Sequence, residues 1–147
     1  MKATEILQTY LDRMSDAVMT GDFDGYVAGV ILPFHLITSD SSFVVTSAAG
    51  LRDGFDGFRG VLASQNVTQY IRLVATATLL DERLISGHYT THIISSAQRI
   101  VAPFPSQIVL RHDDGTGWRG ALITNGIKNA SWPLHHVQVS VPRTDAE

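Results

Sequence analysis

Apolar positions follow a helical period over the first part of this chain and a strand period after Gln69. Ile6, Leu7, Tyr10, Leu11, Met14, Ala17 and Val18 form one stripe of an amphipathic helix. Thr4 is placed to cap its start, and Gly21 to end it in the left-handed conformation. Asp22 then opens a short second helix with Phe23, Tyr26 and Val27, reaching towards Val30 and stopped by Pro33. Phe34–Thr38 and Phe43–Thr46, parted by Ser39-Asp40-Ser41-Ser42, spell a hairpin. Ser47 caps a third helix, whose Leu51, Phe55, Phe58 and Leu62 share a narrow apolar stripe. Gly54, Gly57 and Gly60 lie beside that stripe and predict close approach of another backbone. They fall inside the helical pattern rather than between a strand and a helix, so they do not read as a phosphate loop.

The second half reads as four long strands in series: Gln69–Leu80, Leu84–Ser95, Ser106–His112 and Gly117–Asn125. Asp81-Glu82-Arg83, the Pro103/Pro105 segment and Asp113-Asp114-Gly115-Thr116 break them, and the last break predicts a hairpin. In the first strand Ile71, Leu73, Ala75 and Ala77 alternate with Arg72, Val74, Thr76 and Thr78. In the second, His88, Thr90 and His92 share one face, and Tyr89, Thr91 and Ile93 the other. In the fourth, Trp118, Gly120, Leu122 and Thr124 oppose Arg119, Ala121, Ile123 and Asn125. A period of two yields the two sets without saying which lies inside. Antiparallel strands of this length twist into a strongly bent sheet, and the helices before them are expected to cover its concave face. The domain is expected to span residues 1–127, with residues 128–147 a partly ordered extension. There, Trp132-Pro133-Leu134 is apolar enough to dock back, Val137, Val139 and Val141 alternate as an edge strand would, and Pro142–Glu147 reads as a frayed end.

Composition narrows the function classes. A chain of 147 residues suits one domain and buries roughly 70% of its unfolded surface without staples. With 44% apolar and 17% charged residues it is ordinary globular material. The net charge of −3 and the single, scattered Arg and Lys residues argue against nucleic acid. Without cysteine there is no disulfide and no thiolate nucleophile or ligand. No apolar run is long enough to cross a membrane and no apolar signal region opens the chain, so the expectation is a soluble cytoplasmic protein. The sequons at Asn66 and Asn129 then read as chance.

Helix, Gly-Asp break, short helix, hairpin, helix and a four-strand bent sheet, in that order, resemble the nuclear transport factor 2-like superfamily, its SnoaL-like branch most of all. Thr20-Gly21-Asp22-Phe23-Asp24-Gly25, Pro33 and Gly115 to Trp118-Arg119 carry the likeness, over residues 4–127. The resemblance implies an α+β fold: a cone-shaped barrel, with a strongly bent, mostly antiparallel sheet and three N-terminal helices over its concave face. It also implies a pocket in the cone and a homodimer formed through the outer sheet face.

The resemblance invites two chemical comparisons. Ketosteroid isomerase, aligned on Gly21–Gly25, would place its tyrosine at Met14, its base at Thr38 and its buried acid near Ile108. None of these side chains moves protons at neutral pH. Tyr10 and Asp40 stand close enough in sequence to suggest a shifted arrangement. Polyketide cyclases and dehydratases instead imply an Asp/His or His/His pair facing the pocket, for which His35, Asp40, His88, His92 and His112 are available. Packing or surface roles are the commoner fate of such histidines.

No metal site and no cofactor are expected. His88 and His92 lie roughly 13 Å apart along a strand, too far to share one zinc, and His135-His136 points to opposite faces if extended. Asp53 and Asp56 read as solvated helix residues, Asp22 and Asp24 as helix-start residues. Arg72, Arg111 and Arg119 would hold an anion if inward, but outward pairing across the sheet is commoner.

The expected function is binding of a small, largely apolar ligand in a pocket lined by Tyr10, Met14, Thr38, Phe55, His88, His92 and Trp118. Two alternatives stand beside it. One is a lyase, cyclase or isomerase drawing its catalytic groups from His88, His92, Asp40 and Tyr10. The other is a non-catalytic protein-interaction module.

Overall fold

The computed structural model describes residues 2–128. The expectations for Trp132-Pro133-Leu134, His135-His136, Val137, Val139, Val141 and Pro142–Glu147 lie outside the described residues. In chain order the elements are α1 (Ala3–Thr20), α2 (Phe23–Val27), β1 (Val30–Ile37), β2 (Ser42–Val45), α3 (Ala48–Ser64), β3 (Gln69–Asp81), β4 (Leu84–Ser95), β5 (Gln98–Arg99), β6 (Phe104–Asp113) and β7 (Gly117–Asn125). The strands form one sheet in the order β2-β1-β7-β6-β4-β3, with β5 paired to the end of β4. β1 and β7 run parallel and the other pairs antiparallel. The architecture is therefore the expected α+β arrangement: a curved sheet, not closed on itself, and three helices. Among the described residues no helix is long and apolar enough to cross a membrane.

α1 buries the stripe read from the sequence: Leu7, Tyr10, Leu11, Met14, Ala17 and Val18. Its cap is Lys2 rather than Thr4, because Glu5 Oε1 accepts the Lys2 backbone N–H at 2.9 Å and starts the helix earlier. Gly21, at φ 80°, ends it by donating its N–H to the Ala17 carbonyl, a conformation that costs glycine nothing. Asp22 and Ser47 cap α2 and α3 through bonds from the Gly25 and Gly50 amides, at 2.9 and 3.0 Å.

Val30 opens β1 instead of extending α2, and β1 runs through Pro33. The ladder to β7 is interrupted between Val30 and His35, and the ladder to β2 begins only at Phe34. Proline's missing N–H therefore leaves no ladder bond unmade. β6 likewise starts at Phe104, before the expected Ser106, since Pro105 pairs with β4 before the pairing to β7 begins at Ser106. β5 is not legible in the sequence. It folds back from β4 through Ser96 and Ala97, both left-handed at φ 50° and 71°, without the Asn or Gly that usually announces such a turn.

Curvature comes from register shifts. In β3, Val74 faces Tyr89 and Thr76 faces His88, so Ala75 is an extra residue. The bulge exchanges the two faces. Arg72 and Val74 point inward before it, and Ala77 opposite Gly87 after it, so the strict alternation read from the sequence breaks at Ala75. A second shift, between Val109 and Leu110, bends the β6–β7 pair.

β3 is an edge strand, and Gln8 of α1 covers part of that edge. Its Oε1 accepts the Val74 N–H at 2.9 Å, and its Nε2 donates to the Arg72 carbonyl at 2.7 Å. The core lies between α1, α3 and the inner sheet face, with Leu7, Leu11, Ile85, Ile93, Ile108 and Leu110 fully enclosed. At Gly60 the expected close backbone approach is absent, because a Cβ there would meet nothing within 4 Å. Gly54 is buried beside Phe55.

Candidate ligand cavity

A cavity of about 80 Å³ lies between the helices and the concave face of the sheet. Its walls are mainly apolar: Met14 and Val18 from α1, Phe55 and Phe58 from α3, Phe34 and Leu36 from β1. Several of the walls are aromatic groups in mutual contact. Phe55 meets Phe23 edge-on at 5.3 Å and Tyr26 at 4.9 Å, and Phe58 meets Tyr70 at 5.4 Å.

A polar belt crosses this apolar space. The chain has four tyrosines, and Tyr10, Tyr26, Tyr70 and Tyr89 all line the cavity. Arg72 joins them and is only 6% exposed. Its Nε donates to Ser15 Oγ at 3.0 Å and its Nη2 to the Leu11 carbonyl at 3.2 Å. The guanidinium carbon lies 4.9 Å from the Tyr70 ring centre and 5.8 Å from that of Tyr89. Beyond Tyr89, Thr91 Oγ1 meets Ser106 Oγ at 3.3 Å, and Ser106 Oγ donates to Asn125 Oδ1 at 2.7 Å. Thr91 and Asn125 line the cavity.

Tyr10, Tyr26 and Tyr89 are held protonated. Burial raises Tyr10 well above the ordinary phenol value and pushes Tyr89 up to about 12, with the positive Arg72 offsetting part of the effect at both. Burial also pushes Tyr26 up to about 12, although part of this residue still meets solvent. Burial alone would lower the pKa of Arg72, but the surrounding phenols, anionic only in strong alkali, more than offset this and leave it raised. Among the described residues that line the cavity, Arg72 is the cation. The Tyr10 hydroxyl donates to the Gly29 carbonyl at 2.7 Å, which fixes its ring against the wall.

Of the residues expected to line the pocket, Tyr10, Met14 and Phe55 do so, whereas Thr38, His88, His92 and Trp118 do not. The reason at β4 is its face. Ile85, Tyr89, Thr91 and Ile93 are buried inside, which turns His88 and His92 to the outer side of the sheet. There His88 Nδ1 lies 3.3 Å from Thr76 Oγ1, and His92 Nδ1 lies 3.4 Å from Arg99 Nη2. Thr38 is buried at the end of β1, with its Oγ1 donating to Asp40 Oδ1 at 3.2 Å in the hairpin turn. Trp118 packs edge-on against His112 at 5.1 Å. Of the catalytic candidates His88, His92, Asp40 and Tyr10, only Tyr10 reaches the cavity, so they are not brought together.

Arg111 and Arg119 pair outside the cavity with Asp113, at 3.3 and 3.0 Å. Hydrogen bonds from Arg119 and then Arg111 hold that carboxyl below its ordinary value. Among the described residues no group of three or more His, Cys, Asp or Glu could hold a metal ion.

Sequence reasoning missed Tyr26, Tyr70, Tyr89, Thr91 and Asn125 as lining residues, and it favoured an outward Arg72 over the inward placement that the structure shows. A signal existed for β4, since Ile85, Tyr89 and Ile93 make its inner set the more apolar one. None existed for Arg72, whose inward face looks like the polar set.

No protein-family model matches the chain, and no curated protein matches it in sequence. Solved structures do match in fold. An NTF2-like protein of unknown function from Shewanella oneidensis aligns with a TM-score of 0.66 at 10% identity, over 86% of this chain and 100% of its own. A domain of unknown function with a cystatin-like fold from Nostoc punctiforme gives 0.67 at 16%, over 87% and 79%. An NTF2-like protein with a cystatin-like fold from Novosphingobium aromaticivorans gives 0.62 at 13%, over 92% and 88%. The chain therefore has the NTF2-like, cystatin-like cone fold, in agreement with the resemblance drawn from its sequence.

Proposed function

We propose that this protein binds a small, largely apolar molecule in the cavity between α1, α3 and the concave sheet. The observation that carries the reading is the cavity itself: an aromatic and aliphatic hollow that the side chains of the described residues leave open. Binding rather than turnover is favoured because no described histidine lines it and the Tyr10 proton is engaged with the Gly29 carbonyl. Met14 offers a direct readout, since of the two described methionines, Met14 and Met19, it is the one that lines the cavity. In protein labelled with carbon-13 at the methionine methyls, toluene should shift the Met14 resonance and leave Met19 in place. Met14→Leu, which conserves volume, assigns the signal. No movement of Met14 at saturating toluene refutes the cavity as a binding site.

The outer sheet face is proposed as the contact between two copies of the chain. Leu73 lies on it, 52% exposed beside the polar Thr76 and His88, an apolar residue that a second copy would cover. Light scattering on the eluting protein is expected to give twice 16.0 kDa, and Leu73→Glu to give a monomer. A monomeric parent protein would instead leave that face free and favour the interaction-module reading.

A further inference from the structure

Arg72 poses an energetic problem that the apolar cavity does not solve. Burying a guanidinium costs several kcal/mol unless an anion compensates it. A lysine in that place could lose its proton; arginine cannot. Yet Arg72 forms no ion pair among the described residues, and its hydrogen bonds go to neutral oxygens, among them Ser15 Oγ and the Leu11 carbonyl. The phenols of Tyr10, Tyr26 and Tyr89, held protonated by burial, supply no counter-charge either. A purely structural role, tying α1 to β3, does not require the charge, because Gln8 already makes that tie with two hydrogen bonds to the β3 backbone. Across the cavity, Asn125 spends its Oδ1 on Ser106 and leaves Nδ2 without a hydrogen bond to the described residues.

We infer that the natural ligand is an organic anion, a carboxylate on an apolar body, whose charged oxygens pair with Arg72 while its body packs against Met14, Phe55 and Phe58. The planar guanidinium suits a carboxylate, and the desolvated setting strengthens the pair. Asn125 supplies a second, neutral donor on the far side of the belt. The cavity of about 80 Å³ favours a small acid over a sterol-sized one. The inference rests on the cavity being the binding site, and the test separates the two claims.

The probes are benzoate and its neutral near-isostere benzyl alcohol, titrated against the full chain at neutral pH with the Met14 methyl as readout. Benzoate is expected to bind about tenfold more tightly or better, as a charge-assisted, desolvated pair should. Arg72→Met should erase that preference while benzyl alcohol still binds. Asn125→Asp, which leaves Arg72 in place and puts a carboxylate into the same belt, should also erase it and keeps the test open should Arg72→Met fail to fold. Equal or weaker binding of benzoate, or a preference that survives Arg72→Met, overturns the anion while the cavity stands. If neither probe moves Met14, cavity and anion fall together.

Discussion

Leu7→Ala is expected to lower the unfolding free energy by about 3–5 kcal/mol, because the side chain is 0% exposed and its removal leaves a hole the packed surroundings fill only in part. Leu7 sits directly over Gly87: a Cβ built on Gly87 would lie 2.2 Å from Leu7 Cδ2 and 3.3 Å from the Thr76 carbonyl oxygen. α1 thus rests on β4 at the one position of that stretch with no side chain. Gly87→Ala forces Leu7 out of its place and is expected to cost about 1–3 kcal/mol. The two changes should be strongly non-additive. The new methyl enters the space that Leu7→Ala vacates, so the double variant should be more stable than the sum of the singles by on the order of 1–2 kcal/mol. Urea unfolding of the four proteins checks this. Strict additivity would mean that the helix does not rest on β4 at Gly87.

The second large effect is alkaline. Burial raises Tyr10, Tyr26 and Tyr89, the last two to about 12 from an ordinary value of 10.0. A group whose pKa is higher in the folded state keeps a proton there that the unfolded chain releases. Its contribution to stability is complete below the unfolded pKa and disappears as pH rises through the folded one. Stability should therefore be level through neutral pH, begin to fall near pH 10.0, and be lost as pH passes about 12. A rise of that size corresponds to on the order of 2–3 kcal/mol for a fully buried phenol such as Tyr89, and less for the partly exposed Tyr26. The absorbance of tyrosinate reads the same event: in folded protein these three phenols should resist ionisation until the pH at which the fold is lost. Free titration of Tyr10, Tyr26 and Tyr89 near pH 10.0 in intact protein would refute the enclosed belt.

The same burial bears on the cavity chemistry. A tyrosine that neither ionises nor releases its hydrogen bond is a wall with a fixed dipole, as Tyr10 is against the Gly29 carbonyl. Among the described lining residues Arg72 carries the positive charge, and under the proposed anion reading it would select among ligands by sign more than by shape.

Most of the elements were written in the chain. The stripes of α1 and α3, the Gly21 stop, the Ser47 cap and the strands from Gln69 to Asn125 follow from local periodicity and local capping, which act within a few residues. Their order was enough to draw the fold resemblance. The starts of the proline-bearing strands are not legible locally, because whether a proline is tolerated depends on which neighbours seek its N–H, and that is settled only when β1 meets β2 and β7.

The lining of the cavity was decided by tertiary structure. A strand's period of two offers two faces, and in β4 the more apolar set, with Ile85, Tyr89 and Ile93, turned inward where α1 packs on Gly87, leaving His88 and His92 outside. One extra residue, Ala75, exchanged the faces of β3 at the strand that carries Arg72. Tyr10, Tyr26, Tyr70 and Tyr89 stand far apart in sequence and meet only because the helices close over a bent sheet. Local sequence fixes which segments are helix or strand; facing and enclosure depend on contacts between residues distant in the chain, and those exist only once it has folded.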